Sequence, residues 1–248
     1  MISLKSKREI EIMAEAGQIL QQVFVETKKM ICAGITTADV DAVAEATILK
    51  HKGNPVFKGY HGFPATACIS VNEEVVHGLP GSRVLSNGDL ITVDCGVEVG
   101  GYCVDAARTW IVGTTEDKVK IELVKVAKDS FEAGIAAYKE GARIGDLSAA
   151  IQNCIESRGF YVVRDFIGHG IGRNIHEDPQ VPNFGKPNRG AKIEEGLCIA
   201  IEPMVTVGSY AVKTLNDGWT VVTKDGSLSS HYEDTLAFTD GGIRILTR

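Results

Sequence analysis

Apolar positions recur at helical spacing over Lys7–Met30, where Ile10, Met13, Leu20, Phe24 and Val25 fall along one face, and this predicts a long amphipathic helix. A second helix is predicted over residues 37–52, stopped by Gly53, Asn54 and Pro55. The period then changes. Residues 67–71, 90–99 and 102–111 read as strands, and the last two form a hairpin around Gly100-Gly101, a favoured two-residue turn. Helices return over residues 116–139 and 146–157, and the remainder alternates short strands with Gly- and Pro-rich loops.

Two helices followed by strands thus occur twice. Residues 34–40 align with 141–147 and residues 88–94 with 196–202, at offsets of 107 and 108, and Gly53 matches Gly159. The second alignment lays one carboxylate, Asp94, onto another, Glu202. We expect one domain over residues 1–248 built of two pseudo-symmetric halves, roughly 1–113 and 114–248, with chance similarity of two Gly-bounded helices as the alternative.

The hairpin sets a first pair of polar groups. With the turn at Gly100-Gly101, Asp105 falls opposite Gly96, which shares a face with Asp94 because side chains alternate with period two. The two aspartates are then diagonal neighbours about 7–8 Å apart or somewhat less. Ile91, Val93, Cys95 and Val97 bury the other face of that strand, which argues against a solvated surface pair. Glu202 ends the apolar run 197–201 and is stopped by Pro203. Glu233 lies where alternation puts His231, Glu233 and Thr235 on one face. His169 and His176 sit in a stretch too rich in glycine for a helix, and a bend there can present both to one cavity. His176-Glu177 opens like a zinc motif, but Gln180 stands where its second histidine belongs. Arg173 likewise breaks a dinucleotide-binding glycine pattern. His77 precedes Gly78, Leu79 and Pro80 and is placed to line a cavity.

Asp94, Asp105, His169, Glu202 and Glu233 together carry more negative charge than a dry pocket tolerates without cations. Two divalent metals about 3.5–4 Å apart, sharing carboxylates, neutralise such a set and form a hydrolytic centre.

Bulk properties narrow the rest. A chain of 248 residues carries a sizeable core, and a net charge of −6 with no basic stripe argues against nucleic-acid binding. No apolar run reaches the ~20 residues a membrane span needs. The first fifteen residues alternate charged and apolar positions, unlike a secretory signal. The six cysteines form no C-x-x-C pair, so they are expected as reduced thiols packed as small hydrophobes in a cytoplasmic protein.

The combination of residues 72–80, Asp94 with Asp105 eleven positions later, the run 168–179, Ile201-Glu202-Pro203-Met204-Val205 and His231-Tyr232-Glu233 resembles the type I methionine aminopeptidases, of the α+β pita-bread (creatinase-like) fold. The resemblance covers essentially the whole chain. It implies that Asp105, His169, Glu202 and Glu233 hold one metal, and Asp94, Asp105 and Glu233 a second. It implies too that His77 and His176 flank the scissile amide while Glu202 shuttles the proton. A hydroxide held between the metals would attack the carbonyl, and the second metal would receive the free N-terminal amine. Phe57, Tyr60, His61, Phe63, Cys68 and Trp219 would form the methionine slot, an apolar, sulfur-containing surface suited to a flexible thioether. The ion is left open among Co2+, Mn2+, Fe2+ and Zn2+. The implied substrates are nascent polypeptides and peptides with N-terminal methionine and a small second residue, with ribosome docking open and a monomer as the default. The absence of an N-terminal zinc-finger extension leads us to expect a bacterial-type minimal enzyme. Three positions depart from the family: Phe57 where many members carry Cys, Ile175 where an aromatic residue is common, and Asp234 where His commonly follows the last glutamate. The rival readings are a proline-specific peptidase of the same fold and a non-catalytic binding module.

Overall fold

The first three α-helices begin where a side chain satisfies their first free amides. The structure, a computed structural model, describes residues 2–248. Helix α1, Lys7–Met30, opens on a capping box in which Ser6 accepts from the Glu9 amide and the Glu9 carboxylate accepts from Ser6 N at 2.8 Å. Its buried stripe runs through Ile10, Met13, Leu20, Val23 and Phe24. Val25, expected on that stripe, is 44% exposed, because three- and four-residue steps from Leu20 reach Val23 and Phe24 instead. Helix α2, Thr37–Lys50, carries the same box from Thr36 and Asp39 and ends two residues before the predicted stop, with Lys52 in the left-handed region. Helix α3, Lys118–Ala136, is capped by Asp117, and α4, Ile144–Glu156, starts two residues earlier than predicted.

Nine strands form one sheet. Its continuous path runs through β1 (Asn54–Pro55), β4 (Leu90–Val99), β5 (Tyr102–Ile111), β14 (Glu233–Thr239), β9 (Cys198–Ile201), β7 (Gly168–Gly170) and β8 (Glu177–Val181). Strand β2 (Ala67–Val71) adds to β4, and β15 (Gly242–Ile245) to β14. Every pairing is antiparallel, and β5 meets β14 at the middle of the path. Two small sheets rim this one: β6 (Tyr161–Val162) with β10 (Met204–Thr206) and β13 (Ser229–His231), and β3 (Glu74–Val76) with β12 (Val221–Thr223) and β11 (Val212–Thr214).

The core is correspondingly double. Ile10, Leu20, Val40 and Ile48 of α1 and α2 pack on Ile69, Val93 and Val97, whereas Leu123, Phe131, Leu147 and Ile151 of α3 and α4 pack on Ile199, Leu236 and Phe238. The segments that lead into α2 and into α4 repeat their backbone bonds. Leu85 N donates to Ile35 O at 2.8 Å and Ile193 N to Ala142 O at 2.9 Å, and Ala38 N donates to Gly81 O at 3.0 Å as Gly145 N does to Arg189 O at 2.9 Å. These are the segments whose sequences align.

Cys68, Cys95, Cys103 and Cys198 are buried and unpaired, as expected of small hydrophobes, but Cys32 is exposed and Cys154 half-buried. Among the described residues no helix is long and apolar enough to cross a membrane.

Candidate metal centre

The polar faces of the central strands converge. Gly96 pairs with Asp105 and Asp94 with Ala107 across the hairpin, so the two aspartates are diagonal neighbours, and β14 brings Glu233 opposite the same Ala107. From the other half, β7 sets His169 opposite Ala200, and Glu202 follows one residue beyond the end of β9. Ligand atoms of Asp105, His169 and Glu233 lie within 4.8 Å of one another. His169 Nε2 is 3.9 Å from Asp105 Oδ2 and 3.7 Å from Glu202 Oε1.

Among the described residues no cationic side chain neutralises this group. Asp94 Oδ1, Asp105 Oδ1 and Glu233 Oε1 are buried without a hydrogen-bond partner, a costly arrangement unless a cation takes their lone pairs. Burial first, then the neighbouring carboxylates, pushes the carboxyls of Asp94, Glu202 and Glu233 well above their ordinary range. Burial pushes Asp105 to about 7 against backbone and Asp94 hydrogen bonds that favour its ionised form. The imidazole is oriented for the same purpose. His169 Nδ1 lies 2.9 Å from the Gly170 carbonyl and donates to it, leaving the Nε2 lone pair facing the carboxylates, the tautomer a metal-bound histidine adopts. Burial, then His176, lowers its pKa to about 4. Four carboxylates and one neutral imidazole, with unsatisfied oxygens turned inward, fit divalent cations.

The carboxylates form the floor of a cavity of about 290 Å³. Its walls carry His77, His176, Phe57, Tyr60, His61, Phe63, Cys68 and Trp219. The two histidines seven positions apart are brought together by a register shift after His169, where β7 meets β8, and their rings lie 4.3 Å apart edge to face. Gly170 permits this close turn, since a Cβ there would strike the Asp178 carbonyl. Tyr60 Oη lies 2.8 Å from His176 Nδ1. His77, held in the left-handed region, stacks edge-on against Phe166 at 5.4 Å. Burial lowers the pKa of both His77 and His176. Cys68 pairs with Asp94 across β2 and β4, so the apolar end of the cavity abuts the carboxylates. Phe63 and Trp219 meet edge to face at 5.1 Å and close that end.

Two departures resolve in structural terms. Phe57 reaches the cavity because Gly96 gives it room: a Cβ at Gly96 would stand 3.0 Å from the Phe57 ring and 2.7 Å from Val56. Ile175 is 3% exposed and packs in the first core beside Phe57, its Cδ1 3.3 Å from where a Cβ at Gly96 would stand. One further residue at the cluster is assigned no role by any motif in the sequence. His231 is 1% exposed, and neither ring nitrogen has a partner. Its only sequence signal was the face it shares with Glu233.

The chain belongs to the metallopeptidase family M24, whose profile matches residues 11–245. A methionine aminopeptidase of Clostridium perfringens is 51% identical over 247 residues, 100% of this chain and 99% of that protein. A second relative, methionine aminopeptidase 1 of Bacillus subtilis, is 48% identical over 248 residues with both chains fully covered. Among solved structures, a methionine aminopeptidase of Thermotoga maritima superposes with a TM-score of 0.98 at 45% identity, covering 100% of each chain. The fold is therefore the pita-bread fold, and the family is one of metal-binding hydrolases.

Proposed function

We propose that this protein is a metal-dependent aminopeptidase that removes N-terminal methionine from nascent proteins and peptides with a small second residue. The observation that carries the reading is the junction of two environments in one cavity: four uncompensated carboxylates and His169 at the floor, and an aromatic, thiol-bearing slot beside them. We read the chain as one catalytic domain of two related halves, 1–113 and 114–248, acting as a cytoplasmic monomer, with the unpaired cysteines in keeping with a reducing compartment.

Two divalent ions are assigned to the floor, one to Asp105, His169, Glu202 and Glu233 and the other to Asp94, Asp105 and Glu233. Oxygen-dominated ligands favour Mn2+ or Fe2+, while Co2+ and Zn2+ also suit such a site. When bound, divalent cations lower the pKa of water into the neutral range and polarise a carbonyl. The remaining work falls to the chain. Glu202 is half-buried where Asp94, Asp105 and Glu233 are buried, so its carboxylate reaches the open cavity and can carry a proton to the leaving amine. His77 and His176 are kept neutral by burial and supply N–H donors to the scissile amide and to the charge that develops on its oxygen. Phe57, Phe63, Cys68 and Trp219 hold the methionine side chain, with Tyr60 and His61 at the mouth. Burial raises the Cys68 thiol pKa, so it packs as an apolar sulfur surface. An apolar slot of this kind discriminates by only about 1–3 kcal/mol per methylene.

The test is release of methionine from a Met-Ala-Ser peptide by metal-stripped protein before and after addition of Mn2+ or Co2+, with an Ala-Pro-Ser peptide alongside. Metal-restored cleavage of the first peptide alone supports the reading. Cleavage of only the second moves the protein to the proline-specific peptidases, and cleavage of neither leaves a binding role.

A further inference from the structure

His231 is a fully buried imidazole whose two nitrogens find no partner, an expensive arrangement that nothing in the assignments above uses. Its place is nonetheless tightly built. Thr109 Oγ1 donates to the His231 carbonyl at 2.8 Å and accepts from the His231 amide at 3.0 Å, while Thr92 Oγ1 lies 2.7 Å from the same hydroxyl. Strand β13 ends at His231 opposite Met204, two residues beyond Glu202. The ring is therefore delivered to the carboxylates from behind.

The geometry at the two glutamates is informative oxygen by oxygen. Glu202 turns Oε1 toward His169 Nε2 at 3.7 Å and Oε2 toward His231 Nε2 at 3.8 Å. Glu233 has one oxygen, Oε1, buried without a partner, and its other, Oε2, 4.0 Å from the same His231 nitrogen. Each carboxylate thus offers one oxygen to the cluster and the other to His231. A carboxylate that binds a cation through one oxygen is oriented through its second, and a donor placed there fixes the angle of approach. Closing either gap to hydrogen-bond length takes a movement of about 1 Å. Besides the two glutamates, the charged or titratable groups acting on His231 are His77 and Arg108, neither of which offers it a hydrogen bond.

We propose that His231 is a positioning residue of the metal centre, its Nε2–H donating to the Glu202 and Glu233 carboxylates and holding them in the orientation that grips the cations. The proposal rests on the metal-centre reading above. It differs from ligation: the imidazole acts on the carboxylates and leaves the cation to them.

The test uses two variants of the full chain, His231→Leu, which fills the space without a donor, and His231→Gln, which keeps an N–H donor without an imidazole. Calorimetric titration of Mn2+ into metal-stripped protein reads the affinity, and thermal melts of the metal-free proteins report folding. The expected result is a loss of about ten- to a hundredfold in Mn2+ affinity for the Leu variant. Its metal-free melting temperature is expected to be no lower than that of the wild type, with affinity restored in the Gln variant. A Leu variant that binds Mn2+ as the wild type does would overturn the proposal. So would a Gln variant as weak as the Leu variant, which would make the imidazole itself the requirement. Both arms read metal binding, so they stay interpretable even if the peptide-release test above fails.

Discussion

Glu233 and Asp234 are consecutive residues of one strand, both carboxylates and both almost wholly buried, yet the protein treats them in opposite ways. Asp234 is saturated. It accepts from Arg108 and from Thr247 Oγ1 at 2.7 Å on one oxygen, and from Arg248 Nε at 2.7 Å and Tyr232 Oη at 3.2 Å on the other. The guanidiniums of both arginines also lie over the Tyr232 ring. Glu233, on the other face of the strand, meets Asp105, Glu202 and Asp94 and keeps an oxygen with no partner. Burial alone does not distinguish a structural charge from a functional one. What distinguishes them is whether the chain supplies the counter-charge itself or leaves the balance to something that must arrive.

Substitution should separate the two roles. Glu233→Ala should remove a cation ligand and lower kcat/KM for Met-Ala-Ser by about a thousandfold or more, since a metal's contribution is worth several kcal/mol. Its metal-free melting temperature should not fall, because the lost carboxyl sits among other buried carboxyls with one oxygen unpartnered. Asp234→Ala should do the reverse. It strands two arginines and should cost about 3 kcal/mol in denaturant unfolding of the metal-free protein, the lower part of the range for breaking a buried pair because both arginines are partly exposed. Its Mn2+ affinity should stay close to that of the wild type.

Acidity sharpens the contrast further. Carboxyls of the cluster have raised pKa values, so the metal-free folded state holds more protons than the unfolded chain, and its stability falls as pH rises. For Asp105 that loss begins above the ordinary 3.8 and is complete above about 7. Unfolding midpoints of metal-free protein at pH 5 and pH 8 should show a smaller loss in Glu233→Ala than in the wild type. The smallest effect is expected at Tyr60→Phe, which frees the His176 ring and should lower kcat about fivefold with little change in KM, the worth of one hydrogen bond.

Much of this centre was readable in the chain because it depends on local periodicity. Two-residue alternation and the Gly100-Gly101 turn suffice to put Asp105 opposite Gly96 and to turn Asp234 away from Glu233. The meeting of His169 and His176 was foreseen only as something a bend could do, since the register shift at His169 depends on contacts between β7, β8 and β9. His231 shows the same limit. Alternation gives its face, but that it approaches Glu202 follows from the pairing of β10 with β13, which no local pattern encodes. The end of α2 falls two residues short of the predicted stop, where Lys52 turns into the left-handed region.

The five residues proposed as ligands run from Asp94 to Glu233, four of them on strands that pair only in the finished sheet and Glu202 just beyond the end of β9. An unfolded or partly built chain has no contiguous segment able to hold an ion. On that assignment cation binding belongs to the native state, and a bound ion would stabilise the domain by mass action, about 2.7 kcal/mol at a free concentration one hundred times its dissociation constant. Ion supply would then set how much of the chain is folded as well as how much of it carries metal.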